Sequence, residues 1–333
     1  MSNSENPIID ARKRFLAAFP QGDLPVEDVT LLAARGRVLA RDLSVLWDDP
    51  PYNRSIMEGY VLCVSDVVEA SAEKPVSLRI AGEIKVGQDR AAGLSPGNAL
   101  QVTTGSFIPP GAYAVVRAWD VKRAGHHIAV SRPVKPDENI EVQGEIKKKG
   151  TALFQQGRRI TPGDIFVLAS QGILEIPVVR APKVALFSSG DEVISPTDPL
   201  QIGAIWDCNR YGLSSLIEAA GGEPLFQGIM KDDLAHFIAV LKRSLETADM
   251  AVISGGTAVG GEDFTASLVN AAGSPGTLVN GIPMRSGKPI VLGVADGKPI
   301  VCVAGHPPEA ARGFNLFGTA AIARLMGTEL PAE

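Results

Sequence analysis

The stretch Asp249–Thr265, DMAVISGGTAVGGEDFT, constrains this chain more than any other. It begins as a short apolar run with Val252 and Ile253, the pattern of a buried strand. It then breaks into Ser254-Gly255-Gly256 and Gly260-Gly261. Glu262-Asp263-Phe264-Thr265 follows and leads into the amphipathic segment Ser267–Ala272. A strand, a glycine-rich turn and a helix start place free backbone N–H groups at the carboxyl edge of a sheet, where an anion can be held. Two carboxylates share the loop, and a phosphate-bearing ligand with a bridging Mg²⁺ would use both parts. A loop in which glycine permits tight turns and the acids cap a helix is the other reading, and this stretch alone leaves both open.

At 333 residues the chain exceeds one ordinary core, so two or three domains are expected. A hydrophobic share of 45% with 21% charged residues describes a soluble globular protein, and the low aromatic share of 5% argues against base-stacking platforms. The net charge of −5, with no basic block, speaks against nucleic acid as a partner. No apolar run reaches the ~18 residues that a membrane span needs. The N-terminus lacks the layout of a signal peptide. Cys63, Cys208 and Cys302 belong to no motif and fit reduced thiols in a cytoplasm. His126, His127, His236 and His306 show no metal-ligand spacing, and the first two are expected beside a hairpin turn.

The spacing predicts a helix over Pro7–Ala18, then a strand, a short helix and another strand across Val26–Leu46. Asp48-Asp49-Pro50-Pro51 breaks the chain. Short alternating strands separated by Gly, Pro and Asp fill Tyr60 to about Val134, the signature of an all-β module. A helix is expected over Ile160–Gly172, with Pro162 near its start. From Val184 onward strands and helices alternate: Val184–Phe187, Tyr211–Ala220, Leu225–Ile229, a helix after Asp232-Asp233, Met250–Ile253, strands near Ile290–Leu292 and Ile300–Val303, and a last helix over Pro308–Met326. That order predicts a largely parallel sheet covered on both faces. The expected organisation is a mixed helical and β domain from 7–46 with 147–180, an inserted all-β domain over 47–146, and an α/β domain over 181–328.

Further stretches share the character of the opening loop. Pro51–Tyr60 (PYNRSIMEGY) places Glu58 beside a glycine turn, and Thr103-Thr104-Gly105-Ser106 offers hydroxyls on a flexible backbone. Ser188-Ser189-Gly190-Asp191-Glu192 follows a predicted strand. Trp206-Asp207-Cys208-Asn209-Arg210 heads a helix, so its Asp and Asn could cap it or reach a ligand. Arg285-Ser286-Gly287-Lys288-Pro289 sets two cations around a glycine, a common way to meet phosphate or oxyanion charge. Each alone can be turn chemistry; their joint occurrence is harder to dismiss.

In this order, PPYNRSIMEGY, TTGSFIPPGAYAVV, SSGDE, DCNRYGL, SGGTAVGGEDFT, RSGKP and AGHP, the chain resembles the molybdopterin molybdenumtransferase family, which includes the E domain of gephyrin. The resemblance runs from about Ile8 to about Gly313. It implies a multidomain α/β plus β fold whose α/β domain is related to the molybdopterin adenylyltransferases. The implied activity belongs to molybdenum cofactor biosynthesis: molybdate is inserted at the dithiolene of adenylated molybdopterin and AMP is released, with Mg²⁺ assisting. It also implies a homodimer, with a molybdopterin adenylyltransferase and a recipient molybdoenzyme as further partners.

Carried over position by position, Asp191, Glu192 and Asp263 are the Mg²⁺ ligands, and with Glu58 and Lys288 they make up the reacting set. Thr104, Gly105, Ser189, Gly190, Asn209 and Asp232 match positions that bind the pterin nucleotide. So do Ser254, Gly255, Gly256, Arg285, Gly305 and Pro307. The chain departs from the family pattern at several places. Met57-Glu58-Gly59 stands where Met-Asp-Gly is usual, and Asn53 replaces an Asp. Gly144-Glu145-Ile146 lacks a carboxylate, and Gly305-His306-Pro307-Pro308-Glu309 replaces Gly-Asn-Pro-Val-Ser. The family's small C-terminal β domain is expected to be absent. These departures keep a second function open, a carrier or chaperone that binds the pterin nucleotide for a molybdenum or tungsten enzyme without turning it over.

Overall fold

Lys183–Ser189 is buried at every residue but its first, because both faces of the strand are covered. Val184 and Leu186 point into a core shared with Phe15, Leu213, Phe314, Phe317 and Ile322. Ala185 and Phe187 point the other way, into a core with Phe237, Leu241, Leu268 and Val269. This alternation of two apolar faces is what a central strand of a covered sheet requires. The computed structural model describes residues 7–88, 94–111, 113–255, 262–283 and 289–328, the side chains of 262, 263, 283 and 289 excepted.

The chain divides into two compact units, Met1–Arg41 with Gln155–Glu333, and Asp42–Phe154. In the first unit a six-stranded sheet runs in the order Glu223–Met230, Lys183–Ser189, Met250–Gly255, Lys298–Val303, Pro289–Ala295, Pro275–Pro283. The first four strands are parallel and the last two antiparallel. The sheet is therefore largely parallel, as expected, with two antiparallel strands added at one edge. Pro275–Pro283 has prolines at both ends and Gly and Asn inside, a composition that hides an edge strand from periodicity. Helices Pro7–Ala17 and Asn209–Ala220 and the C-terminal helical segment lie on one face. Leu234–Thr247 and Glu262–Ala272 lie on the other. The C-terminal segment is not one regular helix: Pro307–Gly313 and Thr319–Leu325 flank a π-helical turn over Phe314–Gly318. A small antiparallel pair, Val26–Thr30 with Glu175–Val179, completes the unit, and turns replace the short helix expected after Thr30.

The second unit is built on another six-stranded sheet, in the order Tyr113–Arg117, Gly59–Cys63, Asn98–Val102, Val76–Ile84, His127–Val130, Lys122–Ala124. Only Val76–Ile84 and Asn98–Val102 are parallel neighbours. The hairpin Lys122–Ala124 to His127–Val130 places His126 in its turn, as expected. Tyr60 and Leu62 enter one core, and Val61 enters another. Gly59 is fixed by packing: a Cβ there would lie 1.9 Å from the carbonyl oxygen of Val116 on the neighbouring strand.

Candidate ligand-binding cleft

The parallel strands Lys183–Ser189 and Met250–Gly255 end side by side, with Ser188 paired to Ser254 and Ser189 to Gly255. Gly255 has φ +93°, and a Cβ there would lie 2.3 Å from the Ser189 carbonyl oxygen. Glycine is the residue that lets the two strand ends meet. Beyond them opens a cleft of about 310 Å³, at the carboxyl edge where open α/β sheets hold ligands. Its walls come from the loop after the first strand, the start of the helix Asn209–Ala220, and the segment Gly305–Pro307.

The cleft floor is polar and unsatisfied. Ser188 is 3% exposed, Ser189 5% and Asp207 3%. The hydroxyl oxygens of both serines, Asp207 Oδ2 and Asp232 Oδ1 are buried without a hydrogen-bond partner among the described residues. Leaving a buried polar atom unpaired costs about 1–3 kcal/mol, so four around one cavity mark a place built for a polar ligand. The Asp207 Oδ1 atom is occupied, accepting from the Arg210 N–H at 3.0 Å. Asn209 ties the cleft together: its Nδ2 donates to Ser254 Oγ and to the Gly305 carbonyl, each at 2.7 Å. The Asn209 amide nitrogen thus fixes the walls of the cleft.

Asp191 and Asp232 approach through the Asp232 N–H, which lies 3.4 Å from Asp191 Oδ1. Burial, then the like charges of Asp191 and Glu192, push the Asp232 carboxyl above its ordinary range, against the pull of Lys231. Asp233, not Asp232, caps the helix Leu234–Thr247, accepting from the His236 N–H at 3.0 Å. Among the described residues no group of three acids, histidines or cysteines is arranged to hold a metal ion.

Of the residues singled out from the sequence, Ser189, Gly190, Glu192, Asn209, Asp232, Ser254, Gly255, Gly305 and Pro307 line this one cleft. Asp191 stands beside it. Gly256, Arg285, Lys288 and the side chain of Asp263 lie outside the described residues. Glu58, Thr104 and Gly105 belong to the second unit. There the Glu58 carbonyl accepts from Ala118 N–H, and the Gly105 N–H donates to Ser55 O at 2.8 Å. In the same unit Asn53 Oδ1 accepts from the Gln143 N–H at 2.8 Å, and the Ile146 side chain is exposed. Ser188, Trp206, Asp207 and His306 also line the cleft; they stand in the stretches quoted from the sequence but were not carried over as binding residues. For Asp207 the only signal was its place ahead of a helix, which reads equally as a cap.

A buried parallel core with an unsatisfied polar floor at its strand ends defines a ligand-binding α/β protein of the doubly wound class. Residues 185–324 match the family described as the probable molybdopterin binding domain, and residues 7–172 match the MoeA N-terminal region (domain I and II). The chain belongs to the molybdopterin molybdenumtransferase family. It is 32% identical over 285 residues to the Nostoc sp. protein named molybdopterin molybdenumtransferase, covering 86% of this chain and 65% of that one. It is 31% identical to the Bacillus subtilis protein of the same name, covering 93% of this chain and 73% of the relative. The solved structure of the Pyrococcus horikoshii molybdopterin biosynthesis MoeA protein superposes with a TM-score of 0.85 at 31% identity, over 97% of this chain and 80% of that one.

Proposed function

We propose that the protein is a transferase of molybdenum cofactor biosynthesis that inserts molybdate into adenylated molybdopterin with release of AMP. The observation that carries this reading is the set of four unpaired polar atoms on the cleft floor, from Ser188, Ser189, Asp207 and Asp232. Hydroxyls that can donate are what phosphate oxygens need, and carboxylate oxygens suit ligand N–H groups or a hard cation. Membership of the family directs these groups to a pterin nucleotide.

Mg²⁺ fits the acidic side of the cleft. Burial and then the like charges of Asp191 and Glu192 raise the Asp232 carboxyl, and a divalent cation would relieve the repulsive part. In this reading Asp191, Glu192 and Asp263 would hold the ion, and it would supply charge neutralisation at the phosphate that leaves as AMP. The chain's own residues do the remaining work. Ser188 and Ser189 donate to the phosphate, and Asn209 holds Ser254 and Gly305 at fixed spacing. Trp206 and Pro307 wall the ligand from solvent. Arg285 and Lys288 attract molybdate, and Glu58 takes the place of the family's Asp; these last roles rest on the resemblance. A cytoplasmic homodimer completes the proposal, supported by the exposed apolar side chains of Leu32, Phe166 and Leu174 on the first unit. A sedimentation experiment showing only monomer at micromolar concentration would remove the dimer.

The test is a single-turnover assay with adenylated molybdopterin, Mg²⁺ and molybdate, following AMP against a control without molybdate. Molybdate-dependent AMP release is expected, and Asp263→Asn should abolish it while leaving the far-ultraviolet spectrum unchanged. Tight binding of the nucleotide with no release would assign the protein to the carrier reading instead, with Ile146 in place of a family carboxylate as the first residue to restore.

A further inference from the structure

The ammonium of Lys231 sits in a cradle of main-chain oxygens. Its Nζ donates to the carbonyls of Asp191 at 2.8 Å, and of Gly190 and Val193 at 3.3 Å each. An ammonium has three protons, so its donor capacity is filled by one four-residue loop. The fourth carbonyl of that loop, Glu192, accepts from the Ile205 N–H at 2.8 Å. Every carbonyl from Gly190 to Val193 therefore has a partner, and Glu192 lines the cleft. Three converging carbonyls are what a protein offers a monovalent cation; here a side chain supplies the cation from the residue preceding Asp232.

We propose that Lys231 is a positioning residue, a tethered cation that sets the conformation of the Gly190–Val193 loop and with it the placing of Asp191 and Glu192. The inference deepens the transferase reading and rests on it for its functional consequence. Its geometry does not depend on that reading. A lysine used only for solubility would leave its ammonium in water. Lys231 instead spends all three donors on the loop that carries the acids.

The test uses the full chain with Lys231→Ala, Lys231→Gln and Lys231→Arg. Without ligand, amide exchange at Val193, Ile205 and Asp232 is expected to accelerate about tenfold or more in the Ala and Gln variants, as a lost charge-assisted hydrogen bond implies. Exchange across Val184–Phe187 should not change. Lys231→Arg should keep slow exchange, and methylammonium added to Lys231→Ala should restore it, whereas tetramethylammonium, which has no N–H, should not. In the single-turnover assay the Ala variant should lose AMP release through weaker ligand binding, again restored by methylammonium. Wild-type exchange in the Gln variant, or a loss that neither Arg nor methylammonium repairs, would overturn the inference. Wild-type protein that releases no AMP would count against the transferase reading alone, since the exchange arm is read without ligand. Should Lys231→Ala fail to fold, the Gln and Arg variants decide.

Discussion

At the residue scale, Asp232 is raised by burial first and by Asp191 and Glu192 second. A group whose folded value lies above its unfolded one contributes stability only while protonated; that contribution is lost as pH rises through the folded value. At neutral pH its charge is thus a standing cost to the free protein. Asp232→Asn is expected to raise the melting temperature at neutral pH, with the advantage vanishing below about pH 4, where both states hold the proton. The same variant should bind the pterin nucleotide more weakly. Thermal melts across pH check this, and a variant less stable than wild type at neutral pH would refute it. A second residue-scale expectation concerns the thiols. Burial pushes the Cys302 thiol up to about 12, whereas Cys208 is exposed at the head of the helix Asn209–Ala220. Iodoacetamide at mildly alkaline pH should label Cys208 in the native protein and reach Cys302 only after denaturation. Peptide mapping reads the order directly. Although each stretch alone reads equally as turn chemistry, much of the cleft was legible at this scale from the joint occurrence of glycine and small hydroxyl residues after two strands. Ser188 and the second oxygen of Asp207 were not, since their lack of partners is created by burial under segments distant in the chain.

The scale of elements shows why local signals succeeded or failed. Helix Pro162–Ser170 is specified almost entirely by its own first residues. Thr161 accepts from the Asp164 N–H, Asp164 accepts from the Thr161 N–H, and Pro162 fills the first turn. Arg158 adds two bonds to the Asp164 carboxylate, at 3.0 and 2.9 Å. Burial would raise this carboxyl, but the bonds from Arg158 and Thr161 outweigh it and hold it below the ordinary range. A depressed carboxyl stabilises the fold above its unfolded value, and the contribution fades as pH falls through the folded value. Thr161→Ala should therefore cost about 1 kcal/mol at neutral pH. The cost should shrink in acid, where Asp164 protonates in both proteins; denaturant titrations at the two pH values measure it. The edge strand Pro275–Pro283 carried no such signal. Its identity comes from its antiparallel partner Pro289–Ala295, which periodicity within the segment cannot reveal.

At the scale of the whole molecule, the chain leaves the first unit after Arg41 and returns at Gln155. On the first unit Val38 bridges Arg159, and the Leu39 N–H donates to Arg158 O at 2.8 Å. On the second, Leu43–Ser44 pairs with Ala152–Phe154. Each unit thus closes its own side of the excursion. Replacing residues 42–154 by a short Gly-Ser linker is expected to leave the first unit folded, with Cys302 still protected from alkylation. A product without cooperative unfolding would show that the first unit depends on the second. The Pro-rich break at Asp49-Pro50-Pro51 was visible in the sequence. The strand pair that closes the excursion is only two to three residues long; a strand was expected before Leu46, but its partner Ala152–Phe154 is too short for any pattern to register.

The helix Pro7–Ala17 buries Phe15 in the same core as Phe314, Phe317 and Ile322, near the opposite end of the chain. On the ribosome these partners emerge long after the helix. At about 5–20 residues per second, some 300 residues separate the first helix from these partners by roughly 15 to 60 seconds. Throughout that interval a nascent amphipathic helix carries Phe15 and Leu16 without these partners, with Phe19 beside Phe15 and Val184, Leu186 and Leu213 arriving in between. The cell must shelter it or tolerate its encounters, so the speed of synthesis becomes part of what this fold requires.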